Sequence, residues 1–302
     1  MNNLKKRKGI LIVLLAVLLS LMFLHSREKG PEPGKSFIWE IQTKAGKSYV
    51  LGSVHALKKE HYPLKPAVEA AFTNTDILVV EANLSQDKIM EVAMLALKKG
   101  IYTGEETLKN NVSAKTYSQA KKILKEKNLD IENFEKFKPW MLALTLTSME
   151  ITKMGFDPNY GIDKYFLDRA SGKREILELE GALFQVNMLD GFSKEEAENF
   201  LFSALQEAKN FKEELDGLTA AWEKGDAVQL EKLVNKDILD YPELKEVNRR
   251  LLDDRNDKMM EKILSYFEQK KTYLIVVGAA HLVGEKGLVK QLHDKGFLLK
   301  QL

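Results

Sequence analysis

Three short aliphatic runs, Ile77 to Val80, Ile176 to Leu179 and Tyr273 to Val277, lie far apart in the chain, with long stretches of helical periodicity between them. Runs this short and this apolar read as strands buried on both faces. Buried strands joined by helices become parallel neighbours, because a parallel pair needs a crossover and a helix supplies one. Two further runs, Phe37 to Gln42 and Lys47 to Leu51, flank Thr43-Lys44-Ala45-Gly46 and predict an opening hairpin, and Phe297 to Lys300 predicts a short last strand. The spacing of apolar residues predicts helices over 64–73, 85–99, 113–127, 138–154, 163–170, 193–215, 226–236, 242–270 and 286–295. The fold expected is α/β: a mixed, largely parallel central sheet with an N-terminal hairpin and large helical insertions at about 85 to 170 and 183 to 270.

The N-terminus reads as a targeting segment. Lys5-Lys6-Arg7-Lys8 runs into Ile10 to Leu24, broken in polarity only by Ser20. Leu24-His25-Ser26 lacks the small residues of a cleavage site, so an uncleaved signal-anchor is preferred over a signal peptide. With Gly9, His25 and Ser26 included, the run reaches the lower end of a membrane-spanning length, on the order of 17 residues. The basic cluster favours the cytoplasmic side and puts the body outside, membrane-anchored, or secreted if the leader is cleaved. The expected organisation is therefore a leader at 1–26, a Gly- and Pro-bearing linker at 27–35 and one α/β domain at 36–302.

With 44% apolar residues the chain has material for a sizeable core. Cysteine is absent, which excludes disulfides, thiolate metal ligands and a catalytic thiol. Any metal must be held by His, Asp or Glu. Of the 46 basic and 44 acidic residues, residues 1–30 hold six and one, leaving the body with 40 and 43, a net charge of −3. A body of that charge is not suited to nucleic acid.

The chemistry-bearing signal is an echo. Tyr49-Val50-Leu51-Gly52-Ser53-Val54-His55 and Ile275-Val276-Val277-Gly278-Ala279-Ala280-His281 each run a strand into Gly-x-x-His. Glycine is expected to allow a sharp exit, so that each histidine turns back over the carboxyl end of its strand. That edge is where open α/β sheets bind ligands. Glu81 follows one aliphatic run and Glu180 closes another, so two carboxylates join the same edge if the strands are parallel. Arg255 falls on the inward stripe Leu244, Val247, Leu251, Arg255, Met259, Ile263, Phe267, where a guanidinium needs carboxylate partners, and Glu81 or Glu180 would supply them. Plainer readings attach to the neighbours. Asp163 reads as a helix cap, Asn256 as a solvated helix residue, His61 as a loop residue, His293 as solvated, and the stripe from Trp140 to Met154 as core or an oligomer face.

On these motifs the chain resembles the TraB/GumN (also PrgY) family, which is similar to the extracellular Tiki proteases and more distantly to erythromycin esterase-like hydrolases. The resemblance is carried by Leu51-Gly52-Ser53-Val54-His55, Val79-Val80-Glu81, Gly161-Ile162-Asp163, Leu179-Glu180 with Gln185, Ala221-Trp222 with Gly225-Asp226, Asp254-Arg255-Asn256 and Val277 to Gly284. It implies that His55, Glu81 and His281 are the central site residues, with Arg255 and Glu180 in support, and that some members are metal-dependent and peptidase-like.

Three readings follow. In the first, His55, Glu81 and His281 bind a divalent ion (Zn, Mn or Co), Glu180 relays a proton, Arg255 steadies an oxyanion, and a peptide or other small amide is hydrolysed outside the membrane. In the second, a histidine assisted by Glu81 is the general base and no metal is needed. The third is a non-catalytic module that sequesters a secreted peptide.

Overall fold

The structure is a computed structural model, and it describes residues 34–302 apart from 86, 87 and 209. The expected leader, 1–26, and most of the expected linker lie outside the described residues. Among the described residues no helix is long and apolar enough to cross a membrane.

Six strands form one sheet in the order β4-β3-β5-β2-β1-β6. They are β1 (Ile38–Thr43), β2 (Gly46–Ser53), β3 (Ile77–Val80), β4 (Ile176–Glu178), β5 (Tyr273–Gly278) and β6 (Leu299–Gln301). β1 and β2 make the expected antiparallel hairpin, closed by the Thr43 hydroxyl donating to the Gly46 carbonyl at 2.8 Å. Gly46 sits at φ +128, a conformation that favours glycine. β2, β5, β3 and β4 are all mutually parallel, and β6 adds antiparallel to β1. Every residue of β3 and β5 is buried, as expected for parallel strands covered on both faces.

The principal helices are α1 (Pro66–Thr73), α2 (Ile89–Gly100), α3 (Ala114–Glu126), α4 (Pro139–Lys153), α5 (Ile162–Ala170), α6 (Ala182–Asp190), α7 (Lys194–Glu207), α8 (Phe211–Lys224), α9 (Ala227–Asp240), α10 (Asp254–Phe267) and α11 (Leu288–Asp294). α4 opens with Pro139 at its first turn and buries the whole of Pro139 to Leu146, so this stripe is core. It packs most extensively against α7, whose N-terminus is closed by a Ser193–Glu196 capping box.

Three helical expectations need correction. The stretch 193–215 is two helices, α7 against α4 and α8 against α9, with the break near Ala208 carrying neither Gly nor Pro to announce it. The stretch 242–270 is interrupted by a π-helical turn, Arg249–Asp253, directly before α10. α6 lies within the helical stretch expected from 183 to 270 but matches no individual helix expected there, because Ala182, Leu183, Phe184, Val186, Met188 and Leu189 leave no clear polar stripe for periodicity to reveal. Buried residues from Phe37 to Leu292 form one contiguous apolar cluster around the sheet.

Candidate functional site

The parallel register brings the carboxyl ends of β4, β3, β5 and β2 to one edge, and each end delivers one of the expected groups. The two glycines act differently from the expectation, since neither has a positive φ. A Cβ on Gly52 would collide with the Phe37 ring and come within 3.1 Å of the Ala279 Cα, so this position is set by close approach. Gly52 pairs with Val277 and Ser53 with Gly278, so the two Gly-x-x-His motifs are offset by one residue across the sheet. His281 is carried by a 3-10 turn, Ala279–Leu282, whereas His55 sits in a bend just past the end of β2. The exit is held in place by Trp222, whose indole N–H donates to the Gly52 carbonyl at 2.7 Å, and by Ile162 N–H donating to the Val54 carbonyl at 3.0 Å.

Arg255 organises the acidic half. Its Nε and Nη2 grip Glu180 at 2.8 and 2.7 Å, Nη2 also reaches Glu81 at 2.8 Å, and Nη1 donates to the Leu251 carbonyl in the π turn at 2.9 Å. The guanidinium is only 1% exposed. Gln185 donates to both carboxylates, at 3.2 and 3.3 Å, and the Gly278 N–H donates to Glu81 Oε1 at 2.5 Å. Burial pushes the Glu81 carboxyl above its ordinary range, and the opposing charges of Arg255 and His55 do not fully offset it.

The histidine half is organised by groups that read as bland in the sequence. Asp163 accepts from His55 Nδ1–H at 2.7 Å and is not a helix cap; α5 starts at Gly161 without a side-chain cap. Gly161 is required there because a Cβ would strike the His55 carbonyl. Asn256 is buried, not solvated. Its amide N–H donates to the Lys286 carbonyl at 2.9 Å, which turns Oδ1 toward His281, and His281 Nδ1–H donates to it at 2.5 Å. With an oxygen acceptor facing it, each Nδ1 carries a proton, which in the neutral ring leaves Nε2 as the acceptor. Among the described residues His281 Nε2 is buried without a hydrogen-bond partner, and it lies 3.7 Å from Glu81 Oε1. The pKa values of the two imidazoles are shifted in opposite directions. Burial opposes the charged form of His55, but the charge and hydrogen bond of Asp163 outweigh it and raise its pKa. Burial, with Arg255 and His55, holds His281 neutral, its pKa well below the ordinary value.

All five residues expected from the sequence, His55, Glu81, Glu180, Arg255 and His281, therefore meet in one cluster. The additional members are Asp163, Asn256 and Gln185, and each lies inside a segment that carried the resemblance. His61 stays outside, hydrogen-bonded to Lys58, and the His293 side chain is 79% exposed.

The cluster underlies a cleft of about 130 Å³ whose walls include His55, Ser53 and the backbone of Gly278 to Ala280. Glu81, Glu180, Arg255 and His281 are not on that lining. The donor chemistry suits a divalent ion: two imidazoles, each anchored through Nδ1 and free at Nε2, beside a carboxylate. Among the described residues no group of three or more His, Asp or Glu is already arranged to hold an ion, so the fit is one of donor chemistry and not of a preformed cage.

A family model described as the TraB/PrgY/gumN family matches residues 37–301. Two curated relatives, both described as uncharacterized protein YbaP, come from Shigella flexneri and Escherichia coli (strain K12). Each is 27% identical, over 143 and 142 residues, covering 47% of this chain and 51% of the relative. The matched stretch thus spans about half the length of those relatives. No solved structure matches.

Proposed function

From this chain, which belongs to the TraB/PrgY/gumN family over residues 37–301, we propose a hydrolase of amide bonds, acting on peptides or other small amides outside the membrane that its N-terminal segment engages. The observation that carries this reading is the matched pair of imidazoles, each with Nδ1 tied to a side-chain oxygen, gathered with the buried Glu81 behind a cleft that His55 lines. His55 and His281 would hold a divalent ion such as Zn²⁺, Mn²⁺ or Co²⁺ through Nε2, with Glu81 as the carboxylate partner. When bound, such an ion supplies Lewis acidity that acidifies a water and polarises an amide carbonyl. Charge favours it as well, because two buried carboxylates face one guanidinium and the neighbouring His281 is held neutral.

The chain's own residues divide the remaining work. Asp163 and Asn256 fix the tautomer and tilt of the two rings. Arg255 and Gln185 hold Glu81 and Glu180 in place, and because its N–H groups are taken up by those carboxylates and the Leu251 carbonyl, Arg255 acts as a positioning residue.

A second reading, the metal-free hydrolase, draws on the His55–Asp163 pair. His55 lines the cleft, its Nε2 would take a proton from water, and Asp163 would stabilise the imidazolium, in keeping with the raised pKa. Incubating the full chain with a peptide mixture and reading products by mass spectrometry separates the alternatives. The proposal expects new termini that vanish on chelation, return with Mn²⁺, and are absent for His55→Ala and His281→Ala. Undiminished cleavage after chelation selects the metal-free reading, and peptides retained intact select a binding module.

A further inference from the structure

The cleft has two chemically distinct ends. Toward the sheet edge lie His55 and Ser53, and among the described residues the Ser53 hydroxyl is buried without a hydrogen-bond partner. The remainder is a chamber between α4, α7, α8, α9 and the π turn, walled by side chains such as Leu144, Phe200, Phe211, Leu230, Val234 and Leu251. Four polar residues also reach this wall, and each is committed within the protein. Thr147 and Thr219 donate back to the carbonyls of Ala143 and Leu215, at 3.1 and 2.8 Å. Glu207 accepts from Ser203 at 2.7 Å, and Glu214 pairs with Lys236 at 3.3 Å. The chamber wall is therefore mostly hydrocarbon, and among the described residues the one hydroxyl on the lining without a hydrogen-bond partner is that of Ser53, on the side of His55.

Size selects the occupant. A cavity on the order of 150 Å³ lined by Leu, Ile and Phe stays dry and accepts benzene, so about 130 Å³ suits one aromatic or branched aliphatic group and not a longer chain. We propose that the chamber is a side-chain subsite of the hydrolase described above, taking an amide whose acyl side bears one aromatic or branched aliphatic group, with the Ser53 hydroxyl hydrogen-bonding the amide beside His55. This rests on the hydrolase reading for its direction along the substrate, and it adds to it the class of group selected. Apolar burial supplies the selectivity and the lone hydroxyl supplies the register.

Binding tests this without turnover. The full chain is titrated with N-acetyl-L-leucinamide, N-acetyl-L-phenylalaninamide and the corresponding aspartyl and lysyl amides. The leucyl and phenylalanyl amides are expected to bind about 10–100-fold more tightly than the charged ones, the ratio that burial of one large apolar side chain provides. Ala204→Trp, which places an indole in the chamber, is expected to abolish that preference, with circular dichroism reporting the fold and Ala204→Leu as the smaller companion if the indole unfolds α7. Ser53→Ala is expected to weaken all four amides by a similar factor and leave their ranking unchanged. Equal binding of all four, or a preference that survives both Ala204 variants, overturns the proposal. A chain that binds the apolar amides and never cleaves them keeps this subsite and sinks the hydrolase reading; one that cleaves peptides without side-chain preference does the reverse.

Discussion

His281 donates its Nδ1–H to the Oδ1 of Asn256 at 2.5 Å, and Asn256 is itself oriented by the Lys286 carbonyl, so a helix residue 25 positions away decides which imidazole nitrogen faces Glu81. Replacing Asn256 with Leu removes the acceptor while keeping the volume. The expected result is a 10–100-fold loss of metal affinity or hydrolysis, the range typical of outer partners of a ligating histidine, with the fold retained. Asp163→Asn is expected to act in the same range on His55. Metal titration followed by circular dichroism checks both, and unchanged affinity in both variants would show that neither ring needs its partner.

Arg255 carries a heavier structural burden. Two carboxylates, Glu81 and Glu180, are buried against it, and removing it leaves them without a counter-charge. Arg255→Met is expected to destabilise the chain by about 3–5 kcal/mol, read from urea denaturation. Arg255→Lys keeps the charge and loses the forked grip on Glu180, so it is expected to recover only part of that stability. Full recovery by lysine would show that charge alone matters.

The Asp190 carboxylate, at the end of α6, accepts from Lys99 of α2 and from Lys138 just before α4, at 3.1 and 2.6 Å. Burial by itself would raise its pKa, but the hydrogen bonds and charges of Lys138 and Lys99 outweigh it and hold the group below its ordinary value. A carboxylate whose pKa is depressed by folding contributes stability that is fully present above its unfolded pKa, about 3.9, and is lost as pH falls through the folded value. Asp190→Asn is therefore expected to cost about 1–2 kcal/mol at neutral pH, with the gap to the unsubstituted chain closing as pH falls below about 4. A gap independent of pH would assign the cost to packing.

Much of the frame is legible in the sequence because it is written in local pattern. β3 and β5 are bare aliphatic runs, the hairpin carries its glycine, and the strand-end placement of His55, Glu81, Glu180 and His281 follows from parallel strands alone. Arg255 is legible as a charge on an apolar stripe. What stays hidden is set by tertiary contact. Asp163 has the local look of a cap, and only the docking of α5 beneath the exit of β2 turns it to His55. Asn256 sits beside Arg255 with nothing in its neighbours to mark it as buried. The chamber is hidden for the same reason, since its walls come from α4, α7, α8 and α9, and the break that lets α7 and α8 diverge has no turn residue to announce it.

The account stands or falls on whether the two strand-end imidazoles serve one ligand. Titrating Mn²⁺ into the full chain, stripped of metal beforehand, by calorimetry measures this directly. One ion per chain is expected, with His55→Ala and His281→Ala each weakening binding by more than the roughly 10–100-fold that loss of an outer partner causes. No uptake by the unsubstituted chain, or uptake undiminished in either variant, would contradict it.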